Sequence, residues 1–392
     1  MDVVLSVQSI KYPLTGIGRY TYELARHLPH LPDVQSLRFF DGENFVDRLP
    51  DASSLSADDA VRAFHGGPVH RLKRFLARSR LVVDAYRFLK ARTEKSPFAG
   101  LENHVYHGTN FYVPRFPGAS VVTIHDLSVF TMQHFHPRER VTYLGREVEA
   151  SLKRVDRIIT DSDYIKAEII SYFGFPEERI SVAKLACGEE FRPRAAEEVA
   201  EVLAHYGLAY GEYAFYAGTI EPRKNLSNLI EAYGRMPSSV REKRPLVLAG
   251  FKGWNNADIL NRIEQGKREG WIKYLGYVPN DHLPHLLSGA ALFTFPSWYE
   301  GFGLPVLEAM ASGVPVMTSP LSCLPEVGGS AVLYAQPDRI DEMTQGCERA
   351  LFDEAWRSKA RADGLARAAT FSWQRCAEDT AHAYALALKN RK

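Results

Sequence analysis

Short apolar runs that end in polar or glycine residues recur along the first half of the chain: "DVVLSV", "SLRFF", "HVYHG", "ASVVTIHD" and "DRIITDS". Between them lie stretches such as "RYTYELARHL", with apolar residues at helical spacing. Runs of this length predict buried strands, and strands alternating with helices predict a parallel sheet covered on both faces. "ERISVAKL" reads as the last strand of this series, and the polar, proline-broken "ACGEEFRPRAAEE" after it suits a linker. The pattern then restarts with "YAFYAGT", "PLVLAGF", "WIKYLGYV", "ALFTFP" and "VPVMTS", separated by helical stretches such as "LSNLIEAYGRM" and "LPVLEAMAS". The expected architecture is α/β: two Rossmann-like, doubly wound parallel-sheet domains over residues 1–190 and 191–372, facing each other across a cleft. A helix beginning at Ser372 follows, over 373–392.

Composition adds limits rather than detail. A chain of 392 residues is long for one core, which favours two domains. With 45% apolar and 24% charged residues it reads as globular, and a net charge of +1 gives no reason to expect nucleic acid as a partner. Cys187, Cys323, Cys347 and Cys376 are widely separated, with no metal-ligand spacing, which points to a reducing cytoplasm. "MDVVLSVQSIKY" is not an ordinary secretory signal, and no apolar run is long enough to span a bilayer.

Ligands of doubly wound sheets bind beyond the carboxyl ends of the strands. Gly16 and Gly18 follow the first strand, His125 and Asp126 follow "VVTI", and Glu221 to Lys224 follow "YAFYAGT". The turn in "FPSWYEGFGLPVLEAMASGVPV" follows another strand and carries Glu300 and Glu308 on either side of Gly301, Phe302 and Gly303. Pro305 suits the first turn of a helix that Gly313 would end. Phe302, Gly303 and Leu304 would then offer backbone N–H groups to an anion at the positive end of the helix dipole. Glu308, expected in the first turn, could accept from a vicinal diol such as ribose. Arg223 and Lys224 are adjacent cations suited to the developing charge of a leaving diphosphate.

The Glu300 to Glu308 stretch resembles the E-x7-E motif of the retaining GT-B glycosyltransferases of family 4. "AGTIEPRKNLSNLIEAY" resembles that family's phosphate-binding segment, "PLTGIGRYTYELARHL" its N-terminal glycine loop and "VVTIHDL" its active-site histidine strand. The resemblance implies a nucleotide sugar held mainly by the C-terminal domain and an acceptor held mainly by the N-terminal one. Glu308 would bind the ribose, Phe302 to Leu304 the distal phosphate, and Glu300 and His125 the donor hexose. Arg223 and Lys224 would stabilise the leaving group, with Gly16, Gly18, Asp126, Thr219, Tyr277 and Val278 as further substrate contacts. Many family members have Gly-Arg where this chain has Gly218-Thr219, so Arg223 is the cation available to replace the missing one. No metal or other cofactor is implied, and the C-terminal helix would cross back to the first domain.

The wording of the two C-terminal motifs is most similar to bacterial mannosyl- and rhamnosyltransferases of O-antigen or exopolysaccharide assembly. That implies GDP-mannose or a GDP-deoxyhexose as donor and a polyprenyl-diphosphate-linked saccharide as acceptor. A UDP-sugar donor on another acceptor is the alternative within the family. Outside it stand a scaffold that binds nucleotide sugar without catalysis and an NAD-dependent dehydrogenase. The dehydrogenase would use Gly16, Gly18 and Asp41 but lacks a third glycine at Thr21. Asp161-Ser162-Asp163 resembles the metal-binding DxD of a different fold, yet its place at a strand end predicts a helix cap. His134 and His136 could reach the acceptor but are expected as surface residues. Residues 70–95 carry nine Lys and Arg against two acids, interleaved with apolar residues, and predict contact with the anionic inner face of the cytoplasmic membrane.

Overall fold

The computed structural model describes residues 1–50 and 97–391, so the basic segment 70–95 lies outside the described residues. The first sheet has seven strands: β1 (Asp2–Ser6), β2 (Ser36–Phe40), β3 (Phe45–Val46), β4 (His104–Gly108), β5 (Ala119–Ile124), β6 (Arg157–Thr160) and β7 (Ile180–Val182). Their order is β3-β2-β1-β4-β5-β6-β7. β1 pairs in parallel with β2 and β4, and β3 returns antiparallel along β2. The second sheet has six: β8 (Ala214–Ala217), β9 (Leu246–Ala249), β10 (Ile272–Gly276), β11 (Leu292–Phe295), β12 (Val316–Thr318) and β13 (Leu333–Tyr334). Its order is β10-β9-β8-β11-β12-β13, parallel throughout. Both are Rossmann-like, as the alternating pattern predicts.

The central strand runs are apolar and covered on both faces, whereas β2 (Ser36–Phe40) is partly exposed. Every residue of β5, β8, β9 and β11 is buried. In the second sheet the rings of Tyr216 and Phe295 stack at 6.0 Å and 20°, and Phe293 and Phe295 at 6.0 Å and 17°. Burying each such side chain contributes roughly 2–3 kcal/mol. The Tyr216–Phe295 stack also joins the carboxyl ends of β8 and β11, and the Tyr216 hydroxyl donates to the Thr219 carbonyl (3.2 Å) at the exit from β8. Strand order reverses between β8 and β11, where a sheet of this kind opens a crevice for ligand.

Helix α1 (Gly16–His27) carries Thr15 at its N-cap, and α2 (Asp163–Phe173) carries Ser162, whose hydroxyl accepts from the Ile165 N–H (3.2 Å). Ser162 is thus the cap its position predicts. Asp41 closes its own turn by accepting from the N–H groups of Glu43 and Asn44 (2.8 and 2.7 Å). Ser372 caps the last long helix (Trp373–Lys389), accepting from the Arg375 N–H at 3.1 Å.

The change from one sheet to the other falls between Val182 and Ala214. The compact units divide the chain differently. One comprises residues 1–123, 142–158 and 381–392, the other residues 124–141 and 159–380. The second unit therefore contains His125, Asp126 and Asp161 together with the whole second sheet.

Candidate active site

Beyond β11 the chain enters the turn Pro296 to Gly303 and then helix α3 (Leu304–Ala311). Gly303 holds φ at +102°, a left-handed conformation suited to glycine, and forms the N-cap. Pro305 lies in the first turn, and Gly313 (φ +73°) follows the helix end, both as expected. Among the described residues, the backbone N–H groups of Phe302, Gly303 and Leu304 make no hydrogen bond. They stand at the positive end of α3.

Glu308 departs from expectation. With Gly303 as N-cap, residues 304–307 fill the first turn, which holds no acid, and Glu308 is the next residue along. It is buried, and its carbonyl accepts from the Ser312 N–H (3.0 Å) and hydroxyl (2.8 Å).

Glu300 is buried rather than solvated. Its Oε1 accepts from Lys224 Nζ (2.6 Å) and its Oε2 from Arg223 Nη1 (3.2 Å). Burial opposes its charge, but Lys224 and Arg223 outweigh burial and hold the carboxyl below its ordinary value. The two cations sit in a 3-10 turn, Pro222–Lys224, directly after β8. Arg223 also donates to Glu221 Oε1 through Nε (3.1 Å) and Nη2 (2.8 Å), and to the Tyr299 carbonyl (2.6 Å). Burial disfavours the guanidinium charge, yet Glu300, Glu221 and Asp126 raise its pKa. Lys224 Nζ lies 5.0 Å from the centre of the Phe295 ring. The basic pair is therefore no loose solvated pair. Glu221 and Glu300 pair with its charges, and the unpaired amides of Phe302 to Leu304 add the positive end of the α3 dipole.

His125 and Asp126 leave β5 beside this cluster. The turn passes so close that a Cβ on Gly301 would lie 1.9 Å from the His125 carbonyl oxygen. Asp161 Oδ2 is 2.7 Å from His125 Nδ1, and the Ser162 hydroxyl donates to the Gly301 carbonyl (2.9 Å). Burial raises the Asp161 pKa against the opposing pull of His125. Tyr299 fixes the opposite side: its oxygen accepts from the Leu127 N–H (3.0 Å) and its hydroxyl donates to Glu168. Asp126 is held ionised despite burial, chiefly by the charge of Arg223. Among the described residues, no three of His, Cys, Asp and Glu converge as a metal site would require.

Residues 210–367 match the family described as glycosyl transferases group 1, and residues 14–184 match Glycosyltransferase Family 4. Over 386 residues the chain is 43% identical to the O-antigen chain mannosyltransferase B of Escherichia coli, covering 98% of this chain and 100% of that one. The chain belongs to family 4 of the glycosyltransferases. The serotype-specific mannosyltransferase WbdA of Escherichia coli is 32% identical over 273 residues, 68% of this chain and 33% of WbdA. Among solved structures, WaaG, a glycosyltransferase involved in lipopolysaccharide biosynthesis, matches with a TM-score of 0.65 at 15% identity over 98% of this chain and 99% of that one. Sucrose-phosphate synthase from Thermosynechococcus elongatus gives 0.69 at 20% identity over 98% of both chains. At such identities the likeness is one of fold, and the fold is GT-B. Family membership removes the dehydrogenase reading, consistent with Asp41 serving its own turn.

The remaining residues of this glycosyltransferase fall in several places. Gly16 opens α1 in the first unit, and the Gly18 N–H donates to the Thr15 hydroxyl at 3.4 Å. Ser6, Ser9, Thr15, Thr109 and Asn110 line a cavity of about 420 Å³ in that unit. In the second unit Thr219 lies at the β8 exit, Tyr277 stacks on Phe251 (4.7 Å, 18°), and Val278 is buried. His134 is exposed, as expected, whereas His136 is buried, because Trp254 covers it and donates to the Phe135 carbonyl (2.7 Å). Sequence reasoning missed Asp161, Tyr299 and Glu168 as supports of the site. For Asp161 the signal was present, an acid one residue before a helix cap at the end of β6.

Proposed function

We propose that this glycosyltransferase transfers mannose from GDP-mannose, with retention of configuration, to a polyprenyl-diphosphate-linked saccharide at the cytoplasmic membrane during assembly of a bacterial surface polysaccharide. The observation that carries the chemistry is the buried Glu300, clamped by Arg223 and Lys224 beside the unpaired amides at the start of α3. The sugar is taken from the name of the 43% identical Escherichia coli enzyme. The bond from the sugar's anomeric carbon to the diphosphate breaks, and a bond from the acceptor oxygen forms on the same face. The departing phosphate takes the acceptor proton, while Lys224, Arg223 and the amides of Phe302 to Leu304 stabilise its charge. Glu300 accepts from donor hydroxyls, His125 and Asp126 line the sugar pocket, and Glu308 accepts from the ribose. The hydroxyl- and amide-lined cavity of the first unit supports acceptor saccharide binding there. Cations and amides perform the work for which other enzymes use a metal, so no metal is needed.

The direct test is transfer of radiolabelled sugar to a lipid-linked oligosaccharide, with GDP-mannose compared against UDP-sugars. Transfer from GDP-mannose that survives excess EDTA is expected. Preference for a UDP-sugar overturns the donor assignment, and loss of activity in EDTA overturns metal independence. A second measurement addresses the ribose. Glu308→Ala should weaken GDP binding by calorimetry about tenfold, roughly the 1.4 kcal/mol of one charge-assisted hydrogen bond. Undiminished affinity would remove Glu308 from the nucleotide site.

A further inference from the structure

His136 ends a chain of hydrogen bonds that reaches the site. Its Nε2 lies 3.0 Å from the Ser128 hydroxyl oxygen, and that hydroxyl donates to Asp126 Oδ1 at 2.7 Å. The Ser128 N–H donates to the same oxygen at 2.9 Å. Ser128 has one hydroxyl proton and spends it on Asp126, so towards His136 it must act as acceptor. His136 therefore carries its proton on Nε2, and its buried Nδ1 makes no hydrogen bond among the described residues. Burial, with Arg140 and Arg223 adding to it, pushes the His136 pKa down to about 4, which keeps the ring neutral near pH 7.

The ring is held in place from outside. Trp254 lies 5.7 Å from it and is anchored by the bond from its indole N–H to the Phe135 carbonyl. Arg140 stacks over the other part of this arrangement, 5.0 Å from the Trp254 ring. Ser128 occupies Asp126 Oδ1 twice, whereas among the described residues no hydrogen bond reaches Asp126 Oδ2. One carboxylate oxygen is thus fixed and the other left available, on a side chain whose charge Arg223 sustains.

We propose that His136 is a positioning residue: through Ser128 it sets the orientation of Asp126, so that Asp126 Oδ2 is presented to a sugar hydroxyl of the substrate. The proposal rests on the glycosyl-transfer reading for its ligand, but the hydrogen-bond chain stands apart from it. A packing residue would need only the volume of the ring. A positioning residue needs the Nε2 proton.

Two measurements on the full chain decide the matter. In the first, His136→Phe lowers kcat/KM for sugar transfer about tenfold or more while leaving the Kd for GDP within about twofold. His136→Gln, whose amide keeps an N–H donor, recovers activity to within about threefold of wild type. Ser128→Ala reproduces the loss, and combining it with His136→Phe adds little, because both remove one chain. Equal losses in the Phe and Gln variants, or losses that multiply in the double variant, overturn the proposal. In the second, nitrogen NMR of histidine-labelled wild-type protein near pH 7 shows His136 as the Nε2–H tautomer, and the opposite tautomer overturns the proposal whatever the activity. A wild-type protein that transfers no sugar from any donor sinks the proposed function alone, since the tautomer is read without substrate.

Discussion

Gly301→Ala is expected to lower kcat/KM for transfer by about a hundredfold or more, although it adds a single methyl group. An added Cβ would lie 1.9 Å from the His125 carbonyl oxygen and 3.2 Å from Asp126 Cβ. The near neighbour is backbone, which cannot rotate away as a side-chain tip can. Either the glutamate turn or the end of β5 must move by more than an ångström, and displacement on that scale costs about two orders of magnitude in a reaction that depends on alignment. Overpacking of this kind also costs about 1–3 kcal/mol of stability, which lowers Tm by several degrees. Turnover and thermal denaturation measure the two effects. Wild-type turnover in this variant would mean that His125, Asp126 and Glu300 need not be held at their observed separation.

Lys224→Ala should reduce kcat by about 10²–10³ with a much smaller change in GDP affinity, since the lost charge matters most when the diphosphate departs. A rise in KM at unchanged kcat would place Lys224 in ground-state binding instead. The same substitution has a pH signature. In the wild type the Glu300 carboxyl is held below its ordinary value, so its pairing stabilises the fold above the usual carboxylate range. That stability is lost as pH falls through the depressed native value. Removing Lys224 takes away the strongest of the groups that lower it, while burial still opposes the charge. The acid limb of the stability curve should therefore move upward, and denaturation midpoints measured across about pH 3–7 would record the shift.

Much of this site was legible in the chain because its parts are local. A glycine, a proline and a terminating glycine within one stretch are enough to place Gly303 before α3 and Gly313 after it. Adjacent cations after an apolar run are enough to put Arg223 and Lys224 at a strand end. The errors came where local signals ran out. Glu308 falls one residue beyond the expected first turn, because the helix start depends on Gly303 adopting a positive φ. The burial of His136 leaves no local trace, because its cover, Trp254, lies 118 positions away in the chain. The sequence around Asp161 shows only a capping segment, since its partner His125 follows another strand.

The alternation of apolar runs and helical stretches by itself determined two doubly wound sheets, since a strand buried on both faces leaves a continuous hydrophobic trace. The chain also determined where several strands give way to turns, because glycine, proline and charged residues mark turns through backbone geometry that neighbours alone impose. What the tertiary structure decided was the pairing of charges. Glu300 could have faced solvent, sugar or cations, and only the reversal of strand order between β8 and β11 brings it onto Arg223 and Lys224. A carboxylate has no sequence-local preference among partners; burial with whichever opposite charges the fold supplies settles its ionisation and hence its role.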